Sequence, residues 1–72
     1  MKEIVRTNDP VLLSWLQALL RDDGIEAVVF DTHTSVLEGS AGAIPRRLMV
    51  ADDDAERARQ TITEAGEGAH LV

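Results

Sequence analysis

The sequence predicts an α+β fold of one domain, in which two helices cover one face of an antiparallel three-stranded sheet. Three observations lead to this fold class. A leucine-rich segment with three- and four-residue spacing predicts a helix, three short segments rich in β-branched residues predict strands, and an alanine-striped segment predicts a second helix. The predicted order is β-α-β-β-α, and the last four residues leave a short fourth strand open.

The first half of the chain holds one strand and the clearer of the two helices. "KEIVR", residues 2–6, predicts the first strand. Asp9 is suited to cap a helix whose first position is Pro10, and Gly24 is suited to end it after about Asp22. The apolar face of this helix is predicted to contain Leu12, Trp15, Leu16, Leu19 and Leu20. Trp15 is interpreted as a core residue rather than a platform for a ligand.

The second half holds two strands and the alanine-striped helix. "IEAVVFD", residues 25–31, and "RRLMVA", residues 46–51, predict the second and third strands. The second helix is predicted to begin with Asp53 as its cap and Glu56 completing a capping box, and to end at Gly66. Its apolar stripe is predicted from Ala55, Ala58, Ile62 and Ala65. Residues 1–66 therefore form one domain, and residues 67–72 form a tail that frays or adds an edge strand.

This order is that of the split βαβ unit of ferredoxin-like sandwiches. In that topology the third strand lies between the first and the second, and both helices lie on one side of the sheet. Alternation along the strands then leaves an open face with Val28, Phe30, Arg47 and Met49, joined by either Ile4 or Val5. Because apolar residues cluster there, this face is predicted to be an interface, either of a homodimer or with another protein.

Composition excludes several classes of function. The 72 residues contain no cysteine, which excludes disulfides, thiolate metal sites and a cysteine nucleophile. A net charge of −6 argues against nucleic acid as a partner, because phosphate binding needs clustered lysine and arginine. Neither a secretory signal nor a membrane span is visible, so a cytoplasmic protein that does not bind membranes is expected.

Metal and catalytic chemistry is only weakly indicated. Asp31 and His33 could supply two ligands, but a third is not identifiable. Asp52, Asp53 and Asp54 could bind a hard cation, but they are better explained as the acidic start of a helix. The sequence contains no recognisable nucleophile–base pair, metal motif or cofactor fingerprint. We therefore expect neither a cofactor nor an enzyme. A small metal-binding protein or enzyme that uses His33 and nearby acids is the alternative.

The segment between the second and third strands, residues 32–45, is long for so short a chain. Its "EGSAGAIP" stretch, residues 38–45, has glycines but lacks the lysine of a phosphate-binding loop. Long loops in compact domains are usually functional or disordered. The loop is predicted to contact a protein partner or small ligand, rather than to be slack chain, through His33, Val36, Leu37, Gly39, Gly42, Ile44 and the adjoining Arg46.

A family resemblance joins these segments. "NDP" opening a leucine-rich helix, then "GIEAVVFD", a small-residue loop and "IPRRLMVADDDAERA" resemble the small bacterial family called putative prokaryotic signal-transducing proteins. The resemblance covers about residues 2 to 65 and implies a fold related to the PII-type regulators. In PII-type proteins the loop after the second strand contacts partners. Nucleotide binding is not carried over, because basic residues placed for a triphosphate are lacking. The resulting hypothesis is a non-catalytic regulatory or interaction module.

Overall fold

The computed structural model describes residues 1–30 and 45–72. It contains three strands, β1 (Lys2–Thr7), β2 (Ala27–Phe30) and β3 (Arg46–Val50), and two α-helices, α1 (Pro10–Asp22) and α2 (Ala55–Glu64). Short 3-10 turns lie at Asp52–Asp54 and Gly68–His70. The sheet is antiparallel with β3 in the middle, in the order β1-β3-β2. These elements confirm the predicted α+β class and are consistent with the ferredoxin-like arrangement.

Local chemistry fixes both ends of α1. The Asp9 side chain accepts hydrogen bonds from the backbone N–H groups of Val11 and Leu12, as predicted for the helix cap. At the other end Gly24 has a φ of 77°, and Ile25 N–H donates to the carbonyl of Leu20. This pair of features forms a Schellman motif, which requires a left-handed residue that glycine supplies without strain.

The start of α2 differs from the prediction. Asp52–Asp54 form a 3-10 turn, the helix begins at Ala55, and its cap residue Asp54 makes no side-chain capping bond. The capping box of Asp53 and Glu56 is therefore wrong. The chain enters the helix through a tighter turn, which satisfies the backbone N–H of Asp54 with the carbonyl of Ala51 at 2.9 Å. At the far end Gly66, with a φ of 86°, closes α2 in a second Schellman motif, as predicted.

The core lies between the two helices and one face of the sheet. The sheet contributes Ile4, Val5, Leu48 and Val50, which are fully buried. The helices contribute Leu13, Leu16, Leu20, Ala55, Ala58 and Ile62. The predicted stripe of α1 is thus shifted: Leu13 is buried, Leu12 and Leu19 are half-buried, and Trp15 is 45% exposed. The interpretation of Trp15 as a core residue is wrong, because it lies just outside the part of the helix that the sheet and α2 cover.

The C-terminal residues follow the outer edge of β1. Leu71 forms a single antiparallel bridge with Val5, and the backbone N–H of Val72 donates to the carbonyl of Ile4 at 3.1 Å. The tail therefore contacts this edge without forming a strand. In the part of the chain that is described, neither helix has the length and apolar character needed to cross a membrane.

Candidate functional site

A bulge in β1 decides which side chains reach the uncovered side of the sheet. The pairing of β1 with β3 shifts between Glu3 and Val5, so that one extra residue, Ile4, is accommodated there. Both Ile4 and Val5 then join the core, and both are fully buried. The prediction that one of them lies on the open face is therefore wrong. In a strand without a bulge, strict alternation would have forced them to opposite sides.

The same bulge brings Glu3 and Arg6 to one face, although residues three apart in a regular strand face opposite sides. The guanidinium of Arg6 donates from Nε to Oε2 of Glu3 at 2.7 Å and from Nη2 to Oε1 at 3.0 Å. This bidentate geometry is the strong form of an arginine–carboxylate contact. The sequence pattern missed both residues, because the position of a bulge is not visible in the alternation.

We define the open sheet face as two rows of side chains that run across the three strands. The register places Glu3, Met49 and Val28 side by side in one row. It places Arg6, Arg47 and Phe30 in the other. The charged groups are concentrated towards β1 and the apolar groups towards β2. The structure thus brings together the four predicted interface residues, Val28, Phe30, Arg47 and Met49, and adds Glu3 and Arg6.

The apolar part of this face is only partly shielded. Val28 and Phe30 are each 37% exposed, whereas Met49, which lies between Glu3 and Val28 in the first row, is 8% exposed. The guanidinium carbon of Arg47 lies 5.8 Å from the centre of the Phe30 ring, within the range of a cation–π contact. An aromatic ring, a methionine and arginines at the edge of an apolar patch are the residue types enriched at protein interfaces.

The charged side chains of the open sheet face, Glu3, Arg6 and Arg47, interact electrostatically. The hydrogen bond from Arg6 lowers the pKa of Glu3 below its ordinary value of 4.5, against the opposing effect of burial, and the positive charges of Arg6 and Arg47 lower it further. Arg6 and Arg47 are cross-strand neighbours of like charge. The carboxylate of Glu3 therefore compensates a repulsion that would otherwise weaken the pairing of β1 with β3.

A titration checks this arrangement. We expect the Glu3 carboxyl to titrate below 4.5 in the parent, and the variant Arg6→Gln to return its pKa towards that value, since the donor and its charge are both lost. Because the pKa is lowered by folding, the pair stabilises the fold above the ordinary pKa of glutamate, and this contribution is lost as the pH falls through the folded value. NMR of the side-chain carboxyl group over a range of pH measures the pKa of Glu3 in both proteins. A Glu3 that titrates at its ordinary value in the parent would contradict the pairing.

The other predicted site residues lie elsewhere. Arg46 lies on the helix side of β3, in a groove of about 210 Å³ that it lines with Pro10, Leu13, Ser14, Gln17 and Val29. His33, Val36, Leu37, Gly39, Gly42 and Ile44 lie outside the described residues, as does Asp31. Within residues 1–30 and 45–72, no three histidine, aspartate or glutamate side chains are grouped so that they could hold a metal ion. His70 lies 3.6 Å from Glu67 in the last 3-10 turn.

Comparison with known proteins identifies the family to which this chain belongs. The family model described as "Putative prokaryotic signal transducing protein" matches residues 1–66. The chain belongs to this family. The match confirms the resemblance predicted from the sequence, and it includes every residue of the open sheet face. Comparison with the curated proteins found no match to this chain.

Proposed function

We propose that the chain is a non-catalytic interaction module of a bacterial signalling system, and that proteins dock on its open sheet face. One observation carries the proposal: both helices pack on the same side of the sheet, and the opposite side presents Val28 and Phe30 at 37% exposure beside paired charges. The family description supports a role in signalling. The mechanism is docking, in which burial of the apolar side chains towards β2 supplies affinity and the charged side chains towards β1 supply orientation.

The chemistry of the face favours a protein over a small ligand. Its two rows of side chains run across all three strands on the uncovered side of the sheet, whereas small molecules usually bind in concave pockets that bury most of their surface. The face combines apolar side chains towards β2 with arginine and glutamate side chains towards β1. Protein interfaces likewise combine an apolar part with charged groups, and the charged groups also suppress wrong partners. We therefore expect a partner that covers Val28 and Phe30 together.

The experiment compares two pairs of exposed apolar residues. The first variant, Val28→Lys with Phe30→Glu, places charges on the open sheet face. The matched control, Val11→Lys with Trp15→Glu, makes the same change on α1, where Val11 is 76% exposed and Trp15 is 45% exposed. Met49 is left unchanged because it is nearly buried, and a charge there would report on folding.

Each tagged variant is used to capture proteins from native cells that also contain an untagged copy of the chain. We expect the parent and the α1 control to retain the same binding proteins, and the sheet variant to lose them, with circular dichroism showing that all three are folded. Loss of binding in the α1 control, with retention in the sheet variant, would overturn the proposal.

A further inference from the structure

We propose that the cleft between the C-terminal half of α1 and the start of β2 binds a free α-amino acid. The cleft has a volume of about 430 Å³ and is lined by Gln17, Arg21, Gly24, Ile25, Glu26 and Ala27. It shares no residue with the open sheet face. The inference therefore goes beyond the proposed docking function, and its failure would not affect the docking face.

Local structure fixes the two walls of this cleft. Gln17 and Arg21 are one helical turn apart, so their side chains lie on the same side of α1. The Schellman motif at Gly24 turns the chain from α1 towards β2, and the buried side chain of Ile25 anchors this second wall in the core. The side-chain amide of Gln17 joins the walls, because it donates to the carbonyl of Ala27 at 3.3 Å.

Two opposite charges line the cleft without contacting each other. Arg21 and Glu26 are both exposed, and within residues 1–30 and 45–72 neither side chain forms an ion pair or a hydrogen bond. Arg6 and Arg57, by contrast, lie 2.7 Å and 3.8 Å from the carboxylate oxygens of their partners. A guanidinium and a carboxylate that line one cleft and remain apart leave room for a molecule that contacts both.

The two charges favour a ligand that has both signs. A simple anion would approach Glu26 as well as Arg21, and the net charge of −6 would repel it further. A simple cation would approach Arg21. A free α-amino acid has a carboxylate, which a guanidinium can bind with two parallel hydrogen bonds, and an ammonium group for Glu26. Because these groups use both charges of the cleft, we expect the side chain of the ligand to be uncharged.

The uncharged groups of the cleft add partners for both ends of the ligand. The amide of Gln17 donates one of its N–H groups to Ala27, which leaves the second N–H for the carboxylate of the ligand. The carbonyl oxygen of Ala27 can accept a second hydrogen bond, from the ammonium group. The cleft also includes the last turn of α1, where the helix dipole favours a positive charge.

Amide NMR of the parent protein with L-leucine and with L-glutamine tests the binding. A ligand of about ten non-hydrogen atoms in an open cleft is expected to have a Kd of about 1 mM. We expect at least one of the two probes to shift the signals of residues 24–27, while those of Val11 on α1 and Glu56 on α2 stay in place. If neither probe shifts residues 24–27 at about 20 mM, where such a site is nearly saturated, the proposal is wrong.

Blocked derivatives of the probe that binds test whether the cleft recognises both charges. The N-acetyl derivative keeps only the carboxylate, and the amide derivative keeps only the ammonium group. Each is expected to bind about fivefold more weakly than the free amino acid, since one charge of the cleft loses its partner. A derivative that binds as tightly as the free amino acid would show recognition of a single charge and would overturn the proposal.

Two pairs of variants test the residues themselves. Arg21→Gln and Glu26→Gln are each expected to raise the Kd about fivefold. The controls Arg59→Gln and Glu56→Gln change the net charge by the same amounts on α2, outside the cleft, and are expected to keep the parent Kd. Circular dichroism checks that all four are folded. An unchanged Kd in both cleft variants, or equal weakening in the controls, would overturn the site.

Discussion

Leu16→Ala is expected to lower the free energy of unfolding by about 2–5 kcal/mol. Leu16 is fully buried in the core, where α1 packs on the sheet. Its removal leaves a cavity that a small two-layer core has few neighbouring side chains to fill. Because a core of this size supplies only about 3–5 kcal/mol in total, the variant is expected to lose most of its folded population.

Urea unfolding followed by circular dichroism measures this effect, with Val11→Ala as the control. Val11 lies on the same helix at 76% exposure, and its truncation is expected to change stability by at most about 0.5 kcal/mol. If the free energy of unfolding of Leu16→Ala were within about 0.5 kcal/mol of that of the parent, the assignment of Leu16 to the face of α1 that packs on the sheet would be wrong.

Ala58→Leu is expected to destabilise the fold by about 1–3 kcal/mol, although it adds apolar surface. Ala58 is fully buried and Ala55 is nearly so, and these small side chains let α2 approach the sheet and α1 closely. A leucine there has to displace the backbone of α2 or force its neighbours into strained rotamers. The loss of unfolding free energy caused by Ala58→Leu therefore measures how tightly α2 is packed against the sheet and α1.

The control for this variant is Gln60→Leu, on the exposed side of α2, where the side chain gives up a 3.3 Å hydrogen bond to Glu64. It introduces the same leucine without entering the core, and a change within about 0.5 kcal/mol is expected in urea unfolding. An Ala58→Leu variant more stable than the parent would show that the core has a void beside α2, contrary to the close packing described here.

The parts of the fold that local chemistry determines were predictable from the sequence. Asp9 followed by Pro10 allows few alternatives to a helix start, and Gly24 and Gly66 stand where the helices need a left-handed residue. The strand order followed from the sequence of elements. At the helix ends one residue or one short spacing contains the whole physical reason, whereas the strand order depends on the order of the elements along the chain.

The parts that depend on tertiary contacts were not predictable in the same way. The bulge at Ile4 exists because two apolar residues in succession are both accommodated by the core, and this moves Glu3 and Arg6 onto the open sheet face. Trp15 fits the apolar spacing of α1 as well as Leu16 does, and only the position of α2 and the sheet decides that it is exposed. A single sequence contains the pattern but not the angle at which a helix packs.

The acidic segment before α2 shows a third reason why part of the fold could not be predicted from the sequence. Asp52, Asp53 and Asp54 are all chemically able to cap a helix, so the sequence could not select between an immediate cap and a preceding turn. The 3-10 turn pairs the backbone N–H of Asp54 with the carbonyl of Ala51, the side chain of Asp54 makes no capping bond, and Asp52 lies 3.1 Å from the N-terminal ammonium of Met1. That contact joins the start of the chain to the start of α2, which are distant in sequence.

Docking through the open sheet face is tested most directly by recording the amide NMR signals of the isotope-labelled parent protein in buffer and in an extract of the native cells. We predict that the signals of Val28 and Phe30 shift or broaden in the extract, while those of Val11 and Trp15 on α1 stay in place. Changes confined to Val11 and Trp15, or signals of Val28 and Phe30 that are the same in both samples, would contradict it.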